Sequence, residues 1–135
     1  KYKMKNTLFC LIFTSLLIFA GCGNNHVGLS GKVTFTDGTP LTVGEVCFVT
    51  DTFAAYGTLK NDGTYVVGSI SENDGLPKGN YHVYIAGAIK VNAEETESLI
   101  DEKYGNRETS GLTVEVPTPN GKFDITVEPN PKTKK

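Results

Sequence analysis

Two histidines, His26 and His82, are all the imidazole chemistry that this 135-residue chain offers, and half a domain separates them. No His pair at i, i+2 or i, i+4 occurs, and no cysteine cluster, which argues against a zinc site. The Gly-x-Ser-x-Gly elbow of hydrolases is missing, although Ser30, Ser69 and Ser110 are available as hydroxyls. Gly-x-Gly-x-x-Gly and Walker patterns are missing too, as is any alternation of strands with helices. Nothing in this pattern argues for an enzyme, a metal or a cofactor. A long apolar run is also lacking. The longest, Leu8–Ala20, spans 13 residues, whereas crossing the hydrocarbon core as a helix takes roughly 20.

What precedes and follows that run is informative. Lys1, Lys3 and Lys5 stand ahead of it, and no acidic residue comes before Asp37. A positive n-region, an apolar h-region and small residues are the layout of a secretory signal. The expected signal is 1–21, with Met4 as its true start. Phe19-Ala20-Gly21-Cys22 resembles the lipobox of bacterial lipoproteins. The resemblance implies that Cys22 becomes the lipidated N-terminus, with palmitate-type acyl chains, followed by a polar tether at 22–27. It implies a membrane-anchored protein of the cell envelope, on the periplasmic or extracellular face. One acyl chain holds a protein only marginally, but the two of a diacylglyceryl cysteine suffice.

Without 1–21 the chain keeps ten basic and fifteen acidic residues, a net charge of −5. That argues against nucleic acid as a partner and supplies no polybasic support for anionic lipid. Cys10 departs with the signal and Cys22 is the lipid site, so Cys47 has no intramolecular disulfide partner. Its apolar strand context suits a small buried hydrophobe. The remaining residues are enough for one domain with its own core.

Period-two alternation begins at Leu29, with Leu29, Gly31, Val33 and Phe35 on one face and Ser30, Lys32, Thr34 and Thr36 on the other. Asp37-Gly38-Thr39-Pro40 reads as a turn. Val43–Thr50, Ala55–Lys60, Thr64–Ser69, Asn80–Ala86, Gly111–Val116 and Lys122–Glu128 read as further strands. Asn61-Asp62-Gly63 is the strongest hairpin signal between them. Tyr81, Val83 and Ile85 share a face opposite His82, Tyr84 and Ala86. Ala93–Ile100 is rich in helix formers and acids, and is expected to form a turn or two of helix. Strands at this spacing suggest an all-β sandwich. The expected core includes Val33, Phe35, Phe48, Tyr81, Val83, Phe123 and Ile125.

Several motifs, in order, resemble the carboxypeptidase regulatory-like domains. Gly31-Lys32-Val33-Thr34-Phe35 with Asp37-Gly38-Thr39-Pro40-Leu41 matches their opening, Asp62-Gly63-Thr64-Tyr65 their hairpin, and Leu76–Val83 their strand entry. Ile100–Tyr104 with Ser110–Val116 is similar to a narrower group of small lipoproteins, with Asp101 in place of the usual Pro. The resemblance covers 28–129 and implies a seven-stranded transthyretin-like (prealbumin-like) sandwich, with an insertion before the last two strands and a basic tail at 130–135. Such domains serve as folding, spacing or interaction modules.

The expected function is therefore a non-enzymatic structural or protein-interaction module of the envelope, with an envelope protein or glycan as partner. The alternative is a small-ligand or glycan-binding module that uses loop aromatics and the 91–107 connection. Its candidate binding residues are Phe53, Tyr56, Lys103, Tyr104 and Arg107. The Asp-Gly turns at 37–38, 62–63 and 74–75 hold oxygen ligands, but none follows the EF-hand spacing, and turn formation accounts for them. A Lys32–Asn isopeptide would need a buried acid in 81–86, and that strand has none.

Overall fold

Asp37-Gly38-Thr39 and Asp62-Gly63-Thr64 build the same turn twice. Asp37 accepts hydrogen bonds from the Thr39 backbone N–H and hydroxyl at 2.9 and 2.6 Å. Asp62 accepts the same pair from Thr64 at 3.0 and 2.6 Å. Gly63 has φ +79, and a Cβ there would lie 2.7 Å from the Val33 carbonyl oxygen, so both the conformation and the space select glycine. Each turn reverses the chain and sets the register of the strands around it.

The computed structural model describes residues 25–133, so the expected signal segment, Cys10 and Cys22 lie outside the described residues. The described chain is all-β. Its strands are β1 (His26–Val27), β2 (Ser30–Phe35), β3 (Glu45–Val49), β4 (Ala54–Thr58), β5 (Thr64–Val66) and β6 (Leu76–Pro77). They continue as β7 (Gly79–Ala86), β8 (Ile89–Val91), β9 (Thr96–Ser98), β10 (Leu112–Val116) and β11 (Ile125–Val127). Helical structure is confined to 3-10 turns at Glu102–Gly105 and Pro131–Thr133.

Two open sheets form a sandwich-like arrangement. One has the order β10-β7-β3-β4 and is antiparallel throughout; the other has the order β11-β2-β5, with β11 parallel to β2. Val33, Phe48, Tyr65, Val83, Ile125 and Val127 fill the space between them. At one margin Tyr56 and Gly68 exchange backbone hydrogen bonds of 2.8 and 2.9 Å, joining the two sheets. Tyr81, Val83 and Ile85 face the core and His82 faces solvent, as the alternation predicts. The sequence-read strands recur with ends shifted by a few residues.

Four readings change. Phe35 and Phe123 are half-buried flankers of the core rather than its interior, because Phe35 is the last residue of β2 and Phe123 precedes β11, where the three-stranded sheet ends. His26 and Val27, placed in the tether, pair with Pro77 and Leu76 as β1 and β6. Ala93–Ile100 is not helical. The chain instead makes the hairpin β8–β9, closed by Asn92 N–H donating to the Glu95 carbonyl at 2.9 Å. Isolated short helices are marginal in water, and clustered Glu94, Glu95 and Glu97 repel one another, whereas Ile89, Val91 and Thr96 favour strands. Packing also passes Pro129: Asn130 is buried and its side-chain amide donates to the Ser98 carbonyl at 3.0 Å.

Candidate functional site

The β3–β4 loop is short and self-bonded. The Thr50 hydroxyl oxygen accepts from the N–H groups of Thr52 and Phe53 at 3.3 and 3.0 Å, and Thr50 N–H donates to the Phe53 carbonyl at 2.9 Å. This closure directs the Phe53 ring edge-on to Tyr81 at 6.2 Å and to His26 at 6.1 Å between centroids. The Asp51 carboxylate is left pointing outward.

A second wall comes from the chain after the 3-10 turn at Glu102–Gly105. Asp101 caps that turn by accepting from Lys103 N–H at 3.0 Å. Asn106 then folds the next residues back: its side-chain oxygen accepts from Glu108 N–H at 2.8 Å and its carbonyl accepts from Ser110 N–H at 2.9 Å. Ser110, buried, donates its hydroxyl to the Val83 carbonyl at 2.5 Å and so fastens the segment to β7. Arg107 is thereby presented to Asp51, with Nη2 to Oδ1 at 3.0 Å, and its Nε lies 3.3 Å from Glu108.

Between the walls is an open groove of about 590 Å³, lined by Phe53 and Tyr84 together with Asp51, Asn106, Arg107 and Glu108. Of the five binding candidates read from the sequence, the fold brings Phe53 and Arg107 together here. Lys103 and Tyr104 stand apart. Tyr104 is only 7% exposed and packs in the core, with the Lys103 ammonium 4.9 Å over its ring. Lys103 also pairs with Glu128, and that bond raises its pKa. Tyr56, 42% exposed, belongs to a separate recess of about 360 Å³ with Val66 and the 69–73 loop.

Sequence reasoning did not select Tyr84. Its signal was available, since the alternation of β7 puts this aromatic on the outward face. In register, Tyr84 and Tyr56 flank Cys47 on that face of the four-stranded sheet. Cys47 is buried there, on the side opposite Val46 and Phe48. Burial raises its pKa, which keeps the thiol protonated and unreactive.

The carboxylates at the turns are occupied by their own backbone. Asp74 accepts from the N–H groups of Ser69, Ile70 and Ser71 at 2.5, 3.0 and 3.1 Å. These bonds, that from Ser69 foremost, lower its pKa to about 2. Asp37 and Asp62 are lowered by their threonines. Among the described residues, no three His, Cys, Asp or Glu side chains gather as a metal site, and no helix is long and apolar enough to cross a membrane.

No family model and no curated protein matches this chain. Among solved structures it is similar to a DUF3823 family protein from Bacteroides ovatus, at 20% identity and a TM-score of 0.45. The match covers 77% of this chain and 45% of that one, so the chain spans less than half the length of that neighbour.

Proposed function

We propose that this protein is a lipid-anchored, non-enzymatic module of the cell envelope, held by acyl chains on Cys22 and built on a transthyretin-like sandwich of the carboxypeptidase regulatory-like kind. The observation that carries the reading is where the polar side chains go. Asp37, Asp62, Asp74, Ser110 and Asn130 all bond backbone groups of the fold, which is the work of a frame that presents surfaces. The four- and three-stranded sheets and the paired Asp-Gly-Thr turns support the transthyretin-like topology. Entry of the chain at β1, four residues beyond Cys22, supports a domain held close to the membrane that anchors it.

Fractionation of cells producing the full chain tests this. The wild-type protein is expected in the membrane fraction, with diacylglyceryl on Cys22 by mass spectrometry, and Cys22→Ser in the soluble fraction or uncleaved. A processed protein with an unmodified Cys22 overturns the anchoring.

The groove favours a second reading, in which the module binds a small ligand or glycan. Binding residues concentrate on loops held by a rigid frame, and Phe53 and Arg107 are such residues.

A further inference from the structure

We infer that the groove between the β3–β4 loop and residues 105–108 binds a neutral carbohydrate chain, an inference that rests on the ligand-binding reading above and names its ligand class. The charge arrangement selects against ions. Arg107 is the groove's cation, and it already faces two carboxylates, Asp51 at 3.0 Å and Glu108 at 3.3 Å. An anionic ligand would have to displace one of them and would meet a site whose three charges sum to −1. A cationic ligand would meet the guanidinium while both carboxylates are engaged by it.

A neutral polyol meets neither penalty. Arg107 lines the groove with Nη2 and Nε paired to the two carboxylates, which leaves the Nη1 N–H groups as donors, and the Asn106 amide NH₂ has no acceptor among the described residues. The carboxylate oxygens of Asp51 and Glu108 accept. Sugar hydroxyls donate and accept, so they fit a site in which both kinds of group stand side by side. The remaining wall is aromatic. Phe53 and Tyr84, both half-buried, line it, and the C–H faces of a pyranose are apolar enough to rest on aromatic rings. The groove is open to solvent and not an enclosed cavity, which suits a segment of a polymer rather than a compact cofactor. It also lies at the end of the sandwich where the chain enters, since Phe53 touches His26.

Affinity electrophoresis of the full chain, in gels carrying a dissolved polysaccharide, reads this directly. The probes are three neutral polymers (a β-glucan, a mannan and a xylan) and one anionic polymer, polygalacturonate. At least one neutral polymer is expected to retard the protein. Asp51→Ala, at an exposed position, and Arg107→Gln, at a half-buried one, should each weaken that retardation tenfold or more with an unchanged melting temperature. Phe53→Ala should weaken the retardation too, and the two polar variants keep the test independent of any folding defect it causes. Cys22→Ser should be retarded like the wild type, which separates the groove from the anchor. Retardation by polygalacturonate alone, lost in Arg107→Gln, overturns the neutral-carbohydrate assignment and leaves a ligand groove. No retardation by any polymer, or retardation untouched by all three groove variants, overturns both.

Discussion

The hydroxyl of Tyr65 donates to the backbone carbonyl of Phe123, 58 residues away in the chain. The bond ties β5 to the approach of β11 across β2, and it passes over Gly31. A Cβ on Gly31 would lie 2.0 Å from that carbonyl oxygen and 2.7 Å from the Tyr65 hydroxyl. Gly31, which alternation places on the inner face, is thus a glycine because a bond occupies its side-chain space. Burial raises the Tyr65 pKa far above the ordinary tyrosine value, which keeps the hydroxyl protonated as a donor at neutral pH.

Tyr65→Phe should therefore leave a carbonyl unpaired at a cost of about 1–3 kcal/mol. Thermal unfolding would register roughly 4–8 °C for each kcal/mol in a domain of this size. Gly31→Ala should cost more, because a backbone atom rather than a flexible side chain must move. Equal melting temperatures for Gly31→Ala and the wild type would show that β11 does not pass where it is placed.

Core truncations should follow burial rather than residue type. Phe48 is fully buried and in aromatic contact with Tyr65 and Phe123 at 6.0 and 6.3 Å. Phe48→Ala should cost about 3–5 kcal/mol, and Phe123→Ala, at a half-buried ring, clearly less. Urea unfolding of the two variants ranks them. A larger loss for Phe123→Ala contradicts the packing.

The acid limb of stability should carry the signature of Asp74. Its folded pKa, about 2, lies below the ordinary carboxylate value of 3.8. A depressed pKa stabilises the fold above the unfolded value, and that contribution fades as pH falls from about 4 through 2. Asp37 and Asp62 are lowered in the same direction and add to the same limb. Asp74→Asn, measured by urea midpoint from pH 6 to pH 2, should lose less stability across this window than the wild type. An identical pH slope would mean that the loop bonds of Asp74 do not form.

The segment before the last two strands should split into a dispensable part and an essential one. Ile89–Val91 is exposed and the hairpin tip at 92–95 touches solvent throughout. Ile100 and Tyr104 are buried, and Ile100 bridges Pro129. Replacing 92–95 by a two-residue Asn-Gly turn should leave the melting temperature within a few degrees. Tyr104→Ala should lower it by more than 10 °C, at about 3 kcal/mol or more for a buried aromatic. Circular dichroism melts of the two variants decide. The reverse order would return Tyr104 to the surface.

Much of this protein was legible from local residue order. Alternation in Leu29–Phe35 and Tyr81–Ala86 is a property of neighbours two apart, and Asp-Gly-Thr closes its turn with its own side chain, so the strands and reversals could be read directly. Cys47 is an intermediate case. Its burial was readable, but which face it occupies depended on the two tyrosines that β4 and β7 bring alongside it. The parallel pairing of β11 with β2, the hairpin at 89–98 and the pairing of His26–Val27 with Leu76–Pro77 were not readable, because each depends on a partner strand chosen by packing. The groove is the clearest such case. Phe53 and Arg107 look alike in the sequence to Tyr56, Lys103 and Tyr104, and only tertiary structure separates them. Asp51 and Arg107 stand 56 residues apart, and a contact at that separation is set by tertiary packing, which buries Tyr104 and Ser110 on either side of Arg107 in the chain, rather than by any residue beside it.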